Sequence, residues 1–240
     1  MVITIANQKG GTAKSTTAAA LAQAAAYTGR KTLAIDLDPQ GNLSFFLAAD
    51  TTGAGAFEML EGQPAAIQHT AGGLDVIPAS WNLQTISSGR GSARRLRAAL
   101  APIAAQYELI VIDTPPTAGE LQYNALMASD NLIIPLQADI VGLQGLYQMA
   151  DTARQIQQSN HALTLTGYIL TRHGGRSTLA RQMGETIQAR AAEMGIPFLM
   201  AIREAVAIRE AQTLQRSLYE YAPNSKPADD YLHLLEKLLV

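Results

Sequence analysis

The chain has 240 residues, and its 18 basic and 20 acidic side chains give a formal charge of −2, which offers no global attraction for nucleic acid. Hydrophobic residues make up 48% and charged residues 16%, a composition that excludes disordered and fibrous chains. The absence of cysteine excludes disulfide frameworks, thiol catalysis and cysteine-ligated metal sites. We expect a single domain over residues 1–240, and the lack of a signal peptide or long apolar run favours a cytoplasmic protein.

Short β-branched segments alternate along the chain with longer segments of helical periodicity. The predicted strands are residues 2–6, 31–36, 74–79, 108–113, 131–137, 165–171 and 197–202. Near-continuous apolar strands that alternate with helices are typical of a parallel sheet covered on both faces. The sequence therefore predicts an α/β fold with a doubly wound, mostly parallel central sheet.

Three connecting segments carry further structural signals. The alanine-rich residues 15–28 predict a helix that stops at Gly29 in a left-handed conformation. Residues 50–73 are less periodic and predict a helical connection or a surface excursion. Residues 228–240 predict a C-terminal helix that docks on the body of the protein. Its apolar face consists of Tyr231, Leu232, Leu234, Leu235, Leu238 and Leu239.

The loop between the first strand and the first helix, NQKGGTAKSTT at residues 7–17, predicts a phosphate-binding site. Small residues allow backbone N–H groups to converge on phosphate oxygens, and the helix N-terminus adds a partial positive charge. Lys14 is expected to reach the β- and γ-phosphates, Ser15 to offer a hydroxyl to Mg²⁺, and Thr16 to contact the α-phosphate. The predicted nucleotide-binding residues are Lys9, Gly10, Gly11, Thr12, Ala13, Lys14, Ser15 and Thr16.

The ordinary motif G-x-x-x-x-G-K-[ST] is not matched, because Gln8 and Ala13 occupy its two glycine positions. The loop instead matches K-G-G-x-x-K-[ST], and in this it resembles the ParA/MinD group of deviant Walker ATPases. In that group the additional lysine, here Lys9, reaches the nucleotide of a second subunit, so the resemblance implies an ATP-sandwich homodimer. Ala13 stands where most members have glycine, and its Cβ would crowd a loop that needs a positive φ.

Two acidic strand ends complete the predicted site. Asp113 ends the apolar strand LIVID, at the sheet edge where ligands of α/β proteins collect, and is predicted to hold Mg²⁺ through water. In IDLDPQGN, residues 35–42, the resemblance assigns Asp38 to the attacking water and Asp36 to the strand end near the metal. The expected catalytic residues for slow, Mg²⁺-dependent hydrolysis of ATP are Asp38, Lys9 and Lys14.

The resemblance extends over nearly the whole chain and is greatest to the ParA/Soj branch, in its short form without an N-terminal helix-turn-helix. It implies an ATP-state homodimer that binds double-stranded DNA nonspecifically on the nucleoid. It also implies a ParB-like adaptor that stimulates hydrolysis and releases the dimer, so that a plasmid or chromosome is segregated. The cargo is left open by the sequence.

The DNA-binding face is the least distinct part of the resemblance. The family segment I-P-R-N-V-R-L-x-E-A corresponds to IREAVAIREA at residues 202–211, where Glu204 and Ala207 replace its two arginines. The predicted DNA contacts are Arg172, Arg176, Arg203 and Arg209. Further candidates are Arg181 and the cluster Arg90, Arg94, Arg95 and Arg97, for which a solvated helix face is the competing interpretation.

Single sequence features argue against some other functions that occur on the same fold. A membrane-positioning ATPase of the MinD type needs a C-terminal amphipathic helix with a basic face, whereas this one carries Asp229, Asp230 and Glu236 with one lysine. Metabolic ligases related to cobyrinate amidases lack the paired loop lysines, and nitrogenase iron proteins need bridging cysteines. A positioning ATPase for a protein assembly would use the same chemistry and stays open.

Overall fold

A computed structural model describes residues 1–86, 92–173 and 178–239. Its backbone is organised around one sheet of eight strands. The strands are Val2–Ile5 (β1), Thr32–Asp36 (β2), Gln68–His69 (β3), Asp75–Ile77 (β4), Leu109–Asp113 (β5), Asn131–Leu136 (β6), Thr164–His173 (β7) and Phe198–Arg203 (β8).

The strand order is β3-β4-β2-β5-β1-β6-β7-β8, and every pairing is parallel except that of β3 with β4. The predicted doubly wound, mostly parallel sheet is therefore confirmed. The central strands β2 and β5 are buried at every position, which explains their uninterrupted apolar sequences.

Helices cover both faces of the sheet. On one face, residues of α1, α2, α8, α9 and α10 share one apolar core; on the other, α3, α4 and α5 pack in a second core and α6 and α7 in a third. The helices are Lys14–Tyr27 (α1), Asn42–Phe46 (α2), Ala56–Leu60 (α3), Arg95–Leu100 (α4), Glu120–Ala128 (α5), Ile140–Gln157 (α6), Thr178–Glu193 (α7), Val206–Thr213 (α8), Leu218–Tyr221 (α9) and Lys226–Leu238 (α10).

The connecting segments follow the predictions with local differences. Helix α1 ends at Tyr27, and Gly29 has a φ of 84°, the predicted left-handed stop. The segment 50–73 contains α3, as predicted, and also the short antiparallel strand β3 at the sheet edge. A two-residue strand has too short an alternation of apolar and polar residues to be recognised in a sequence.

The C-terminal helix α10 docks on the body of the protein, as predicted. It begins at Lys226, two residues earlier than expected, with Pro227 in its first turn. Tyr231, Leu234 and Leu235 are buried against the core that contains α1, whereas Leu239 lies past the end of the helix and is exposed. In the part of the chain that the structure describes, no helix has the length and apolarity to cross a membrane.

Candidate nucleotide site

The two acidic strand ends meet at the centre of the sheet. Strands β2 and β5 are hydrogen-bonded neighbours, and their register pairs Asp36 with Asp113. Strand β1 lies on the other side of β5, with Ile5 paired to Asp113. Because β1 leads directly into the phosphate loop, the topology brings the loop and both carboxylates to one edge of the sheet.

Asp36 is fully buried and hydrogen-bonded within the protein. Its Oδ2 accepts hydrogen bonds from the Ser44 backbone N–H at 2.8 Å and the Ser44 hydroxyl at 2.7 Å, and its Oδ1 accepts one from the Asp38 N–H at 3.0 Å. Burial raises the pKa of Asp36 to about 6, although these hydrogen bonds favour the charged form. Its side chain therefore organises the turn after β2 and keeps its oxygens occupied.

Asp113 is fully buried and differs from Asp36 in its hydrogen bonding. Neither of its carboxylate oxygens has a hydrogen-bond partner of normal geometry among the described residues. Burial, followed by the charge of Asp36, raises the pKa of Asp113 well above its ordinary value. The Ser15 hydroxyl and the Lys14 ammonium oppose this rise in part, the hydroxyl without the alignment of a normal hydrogen bond. A buried carboxylate without partners is a group that a bound cation would stabilise.

The side chain of Lys14 is drawn into the same site. It is 6% exposed and donates a hydrogen bond from Nζ to the carbonyl oxygen of Lys9 at 3.1 Å. Burial lowers the pKa of Lys14, while the nearby charges of Asp113 and Asp38 raise it. The ammonium is thus held inside the curve of the loop, where it would face a phosphate group bound there.

Asp38 lies just past the end of β2 and is 5% exposed. Its Oδ1 accepts a hydrogen bond from the N–H of Gln40 at 3.0 Å, and its carbonyl accepts one from the N–H of Gly41 at 2.9 Å. Its Oδ2 makes none of the hydrogen bonds identified in the described part of the chain. The carboxylate is therefore held by its own turn at the acidic edge with one oxygen available.

Three polar side chains hold the phosphate loop from below. The Oδ1 of Asn7 accepts a hydrogen bond from the N–H of Lys9 at 3.0 Å, while its Nδ2 donates to the carbonyl of Pro135 at 2.8 Å. Gln137 donates to the carbonyl of Gly11 at 2.6 Å, and the hydroxyl of Thr171 lies 3.2 Å from the carbonyl of Thr12. The loop backbone is therefore held at one N–H and two carbonyl groups by side chains from outside the loop's tip.

Residues 10–13 give the loop its curvature. Gly11 has a φ of 76° and Ala13 has a φ of 67°. Ala13 therefore adopts the left-handed conformation, in which its Cβ is unfavourable. A Cβ built at Gly10 or Gly11 would meet nothing within 4 Å. The space over the two glycines is therefore open, and a side chain at either position would project into it.

The remaining loop residues lie around this space. Ser15 and Thr16 are half-buried in the first turn of α1, and Thr16 borders a small pocket of 80 Å³ together with Ala13. Thr12 is buried, with its hydroxyl 3.5 Å from the Lys9 carbonyl. Among the described residues, the Lys9 ammonium makes no hydrogen bond or ion pair that the structure identifies, and its side chain is half-buried at the rim.

The residues present fit a magnesium ion bound together with a nucleotide. The described residues contain no group of three or more His, Asp or Glu side chains that could enclose a metal alone. Mg²⁺ instead keeps several waters and binds through one or two carboxylates plus substrate phosphates. The unpartnered Asp113 carboxylate and the Ser15 hydroxyl beside it are donors of this kind.

Three of the four predicted DNA contacts lie among the described residues. Arg172 near the end of β7, Arg203 at the end of β8 and Arg209 in α8 border the small pocket beside the phosphate loop. Arg203 is held there by Asp230, which accepts hydrogen bonds from its Nε at 3.0 Å and its Nη2 at 2.5 Å. Arg209 lies 3.2 Å from Glu204, and Arg172 is exposed. Arg176 lies outside the described residues.

The other arginine candidates lie on helices α4 and α7, directly before α4 in the case of Arg94, or outside the described residues. Arg94 and Arg97 are exposed, Arg95 pairs with Glu61 at 2.6 Å, and Arg181 is exposed on α7. Arg90 lies outside the described residues. The structure therefore separates the α4 arginines from the pocket beside the phosphate loop.

The sequence does not indicate a role for Asn7, Ser44, Gln137 or Gly145. Gly145 of α6 packs on Asn7, since a Cβ there would lie 2.8 Å from the Asn7 Oδ1. A buried asparagine at a strand end is a detectable signal, because it must satisfy an amide without water. The partners of Ser44 and Gln137 could not be found from the sequence, because they are set by segments that are distant in the chain.

The fold, the phosphate loop and the acidic edge define an ATPase of the P-loop class with a deviant Walker loop. A family model described as an AAA domain matches residues 1–165. The chromosome-partitioning ATPase Soj of Thermus thermophilus is 33% identical over 99% of this chain and 94% of its own length. The chain belongs to the ParA/Soj family of ATPases.

Solved structures with a similar fold include one with bound ADP and magnesium. The chain is similar to a Mycobacterium smegmatis protein described as a cobyrinic acid a,c-diamide synthase with bound ADP and magnesium, with a TM-score of 0.81, 30% identity and coverage of 99% of this chain and 93% of that one. It is also similar to apo McdA of Cyanothece, with a TM-score of 0.86, 25% identity and coverage of 99% and 98%.

Replacement of Ala13 by glycine should stabilise the ligand-free protein. The left-handed conformation costs a non-glycine residue about 1 kcal/mol, and Ala13→Gly removes this cost. The matched control is Ala26→Gly, the same change inside α1, which should destabilise by about 1 kcal/mol. Urea unfolding measures both. A loss of stability at position 13 equal to that at position 26 would contradict the role of the positive φ.

Replacement of Asp113 by asparagine should stabilise the metal-free protein at high pH. Because the folded-state pKa of Asp113 is above its ordinary value of 3.8, folding takes up a proton between these values, and the free energy of unfolding falls as pH rises through them. Asp113→Asn removes this loss, so it should be more stable than wild type by about 1–3 kcal/mol at pH 8 and close to it near pH 4.

Urea unfolding at the two pH values tests this prediction, and Mg·ATP provides the second arm. The ligand should raise the melting temperature of the wild type and have less effect on Asp113→Asn. Equal stability of the two proteins at pH 8 would show that the buried Asp113 carboxylate does not destabilise the folded protein.

Proposed function

We propose that the protein is a Mg²⁺-dependent partition ATPase, formed by a single domain over residues 1–240, that positions a DNA cargo. The observation that carries the proposal is the pairing of a pre-formed phosphate loop with a buried, unpartnered carboxylate, Asp113, at its mouth. The similarity to Soj, a chromosome-partitioning ATPase, supports the choice of cargo. The same similarity supports a protein of the cytoplasm that associates with the nucleoid.

The loop residues 9–16 would bind the triphosphate through backbone N–H groups and the N-terminus of α1. Lys14 would neutralise charge on the β- and γ-phosphates, and Ser15 and Asp113 would hold the hydrated Mg²⁺, while Asp36, whose oxygens are hydrogen-bonded to Ser44 and Asp38, would support the adjoining turn. The metal would neutralise the charge that develops on the phosphates. Asp38 has one free carboxylate oxygen with which to orient water, and a transfer of this kind depends mainly on such positioning.

Lys9 supports the proposal of an ATP-sandwich homodimer. Its ammonium has no identified partner in the described part of its own subunit, although its backbone carbonyl and N–H are both engaged by the loop. A lysine whose backbone is fixed and whose side chain is free at the rim can reach a phosphate of a facing subunit. Binding of ATP would then join two copies, because each copy completes the other's site.

The ATP-state dimer would bind double-stranded DNA without sequence preference. Arg172 and Arg209 are exposed at the small pocket beside the phosphate loop, so dimerisation would bring two such pairs into one assembly. Arg203 would have to leave Asp230 to contribute. Because the protein carries a net charge of −2, binding must come from a local patch and weaken as salt increases. A ParB-like adaptor would stimulate hydrolysis and release the dimer.

A second candidate is an ATP-dependent amidation, favoured by the similarity to the protein described as a cobyrinic acid a,c-diamide synthase. Such an enzyme would use ATP to activate a small carboxylic acid within one subunit. Turnover that requires a small carboxylate and an amide donor, and that survives Lys9→Ala, would favour it. A membrane role is disfavoured because the apolar face of α10 is packed in the core.

The two loop lysines should separate binding from dimerisation. Lys14→Ala should weaken ATP binding about 100-fold, because it removes charged hydrogen bonds to phosphate worth about 3 kcal/mol. Lys9→Ala should keep ATP binding by the monomer and lose the ATP-dependent dimer. Asp38→Ala should keep the dimer and slow hydrolysis about 100-fold or more. Fluorescent ATP titration, sedimentation and phosphate release measure the three effects.

The control for these variants is Lys237→Ala, an exposed lysine in the last turn of α10 that should change none of the three measurements. Normal ATP-dependent dimerisation of Lys9→Ala would contradict the cross-subunit role. Normal turnover of Asp38→Ala would assign the orientation of water to another group.

Random-sequence duplex DNA should bind only in the presence of Mg·ATP, with an affinity that falls steeply between about 50 and 200 mM salt. Arg172→Glu and Arg209→Glu should weaken binding equally for all sequences and flatten its salt dependence. The matched control is Arg154→Glu on α6, an exposed arginine that pairs with Asp151. Equal binding with Mg·ADP, or none in either state, would overturn the DNA function while leaving ATPase activity intact.

A further inference from the structure

A cavity of 790 Å³ lies between α3 and α4, and it shares no residue with the phosphate loop or the acidic edge. Its floor is β4, and its walls are α3, α4 and the segments that follow each helix. A cavity of this size, lined mainly by apolar groups with a few polar ones, is typical of a site for a small molecule. The apolar lining includes Met59, Leu60, Ile67, Ile77, Ala99 and Ile103.

The polar part of the cavity is an ion pair between its two walls. The Nη1 of Arg95 on α4 lies 2.6 Å from the Oε1 of Glu61, which follows α3, and both side chains are partly exposed. The neighbouring Arg94 is exposed and forms no ion pair with a described residue. Glu58 is engaged elsewhere, since its Oε2 accepts the N–H of Gly55 at 2.7 Å. The charged groups that line the cavity are therefore the guanidinium of Arg95 on the α4 side and the carboxylate of Glu61 on the α3 side.

We propose that this cavity binds a small amphipathic anion, with an apolar body between α3 and α4 and one acidic group on Arg95. An anionic group would take the place of Glu61 on the guanidinium in a charge-assisted hydrogen bond. Glu61 would turn to solvent, which its partial exposure allows at little cost. The apolar body would cover surface that α3, α4 and β4 leave without a packing partner.

Both walls of the cavity are connected to the acidic edge by hydrogen bonds. The first turn of α3 is held by Pro78, whose carbonyl accepts the N–H of Ala56 at 2.9 Å. The next residue, Ala79, donates its N–H to the Ser44 hydroxyl at 2.9 Å, and that hydroxyl donates to Asp36. A ligand that moves α3 would therefore act on the turn that carries Asp36 and Asp38.

The second wall leads to the segment after Asp113. The N–H of Leu96 in α4 donates to the Oδ1 of Asn124 at 3.0 Å, and the Nδ2 of Asn124 donates to the Glu120 carbonyl at 3.0 Å. Glu120 opens α5, directly after the loop that follows Asp113. Occupation of the cavity should therefore change the rate of ATP hydrolysis, a consequence that rests on the proposed function.

The binding test uses 8-anilinonaphthalene-1-sulfonate, which has an aromatic body and one anionic group, titrated by fluorescence into the full chain. One molecule should bind per chain, and decanoate should displace it whereas decylammonium should not. Ala99→Trp fills the cavity and should weaken binding at least tenfold. Arg95→Gln should weaken it about tenfold, the loss expected for one charged hydrogen bond.

Two matched variants control for unrelated effects. Ala192→Trp adds the same side chain to an exposed position of α7, and Arg154→Gln removes an exposed arginine from α6. Both should bind the probe as the wild type does. Thermal melting checks that each variant folds, and Ala98→Trp, at an exposed position of the same wall, replaces Ala99→Trp if that variant does not.

Probe binding unchanged by Ala99→Trp and by Ala98→Trp, or equal displacement by decylammonium, would overturn the proposed site. Loss of probe binding in step with concentration-dependent self-association would assign the cavity to a second copy and overturn it as well. Probe binding with an unchanged ATPase rate would overturn the connection to the acidic edge. Absence of any ATPase activity would refute the proposed function and leave the binding result standing.

Discussion

Two carboxylates that end neighbouring parallel strands, Asp36 and Asp113, are buried side by side, and this repulsive arrangement determines the organisation of the site. Burial raises the pKa of both carboxyl groups, and the charge of Asp36 raises the pKa of Asp113 further. Asp36 is stabilised by Ser44 and by its own turn, whereas Asp113 has no such hydrogen bond. Asp36 therefore has a structural role, whereas the Asp113 carboxylate would be stabilised by a cation. Binding of a metal and nucleotide is thus coupled to folding stability.

The backbone of the phosphate loop is held in place by side chains from the central sheet. Asn7, Gln137 and Thr171 engage its backbone from β1, β6 and β7, so its curvature is set by three strands of the central sheet. Pre-organisation of this kind lowers the entropy cost of binding phosphate. Ala13 works against it, since its left-handed backbone would suit glycine better. Backbone strain is often found at functional positions, where the surrounding structure imposes the conformation.

The C-terminal region connects the site to the surfaces on which partners could act. Asp230 of α10 holds Arg203 at the end of β8, and Tyr231 of the same helix lies 3.4 Å from the Thr17 hydroxyl in α1. Helix α10 therefore serves as a structural support beside the nucleotide site. Its acidic Asp230 also neutralises one of the arginines that the sequence offered for DNA, which leaves Arg172 and Arg209 as the more accessible groups.

The doubly wound fold, the phosphate loop and both acidic strand ends could be predicted from the amino-acid sequence, because each of these is a local pattern: apolar strands, a run of small residues with lysines, and aspartates that end strands. The sequence could not predict that Asp36 is hydrogen-bonded and Asp113 is not, that Arg203 is held by Asp230, or that Gly145 packs on Asn7. The cavity between α3 and α4 could not be predicted from the sequence either. These features depend on the strand order, which joins β2 to β5 and α10 to β8 across long stretches of chain, and on the exclusion of water from groups that meet only after folding.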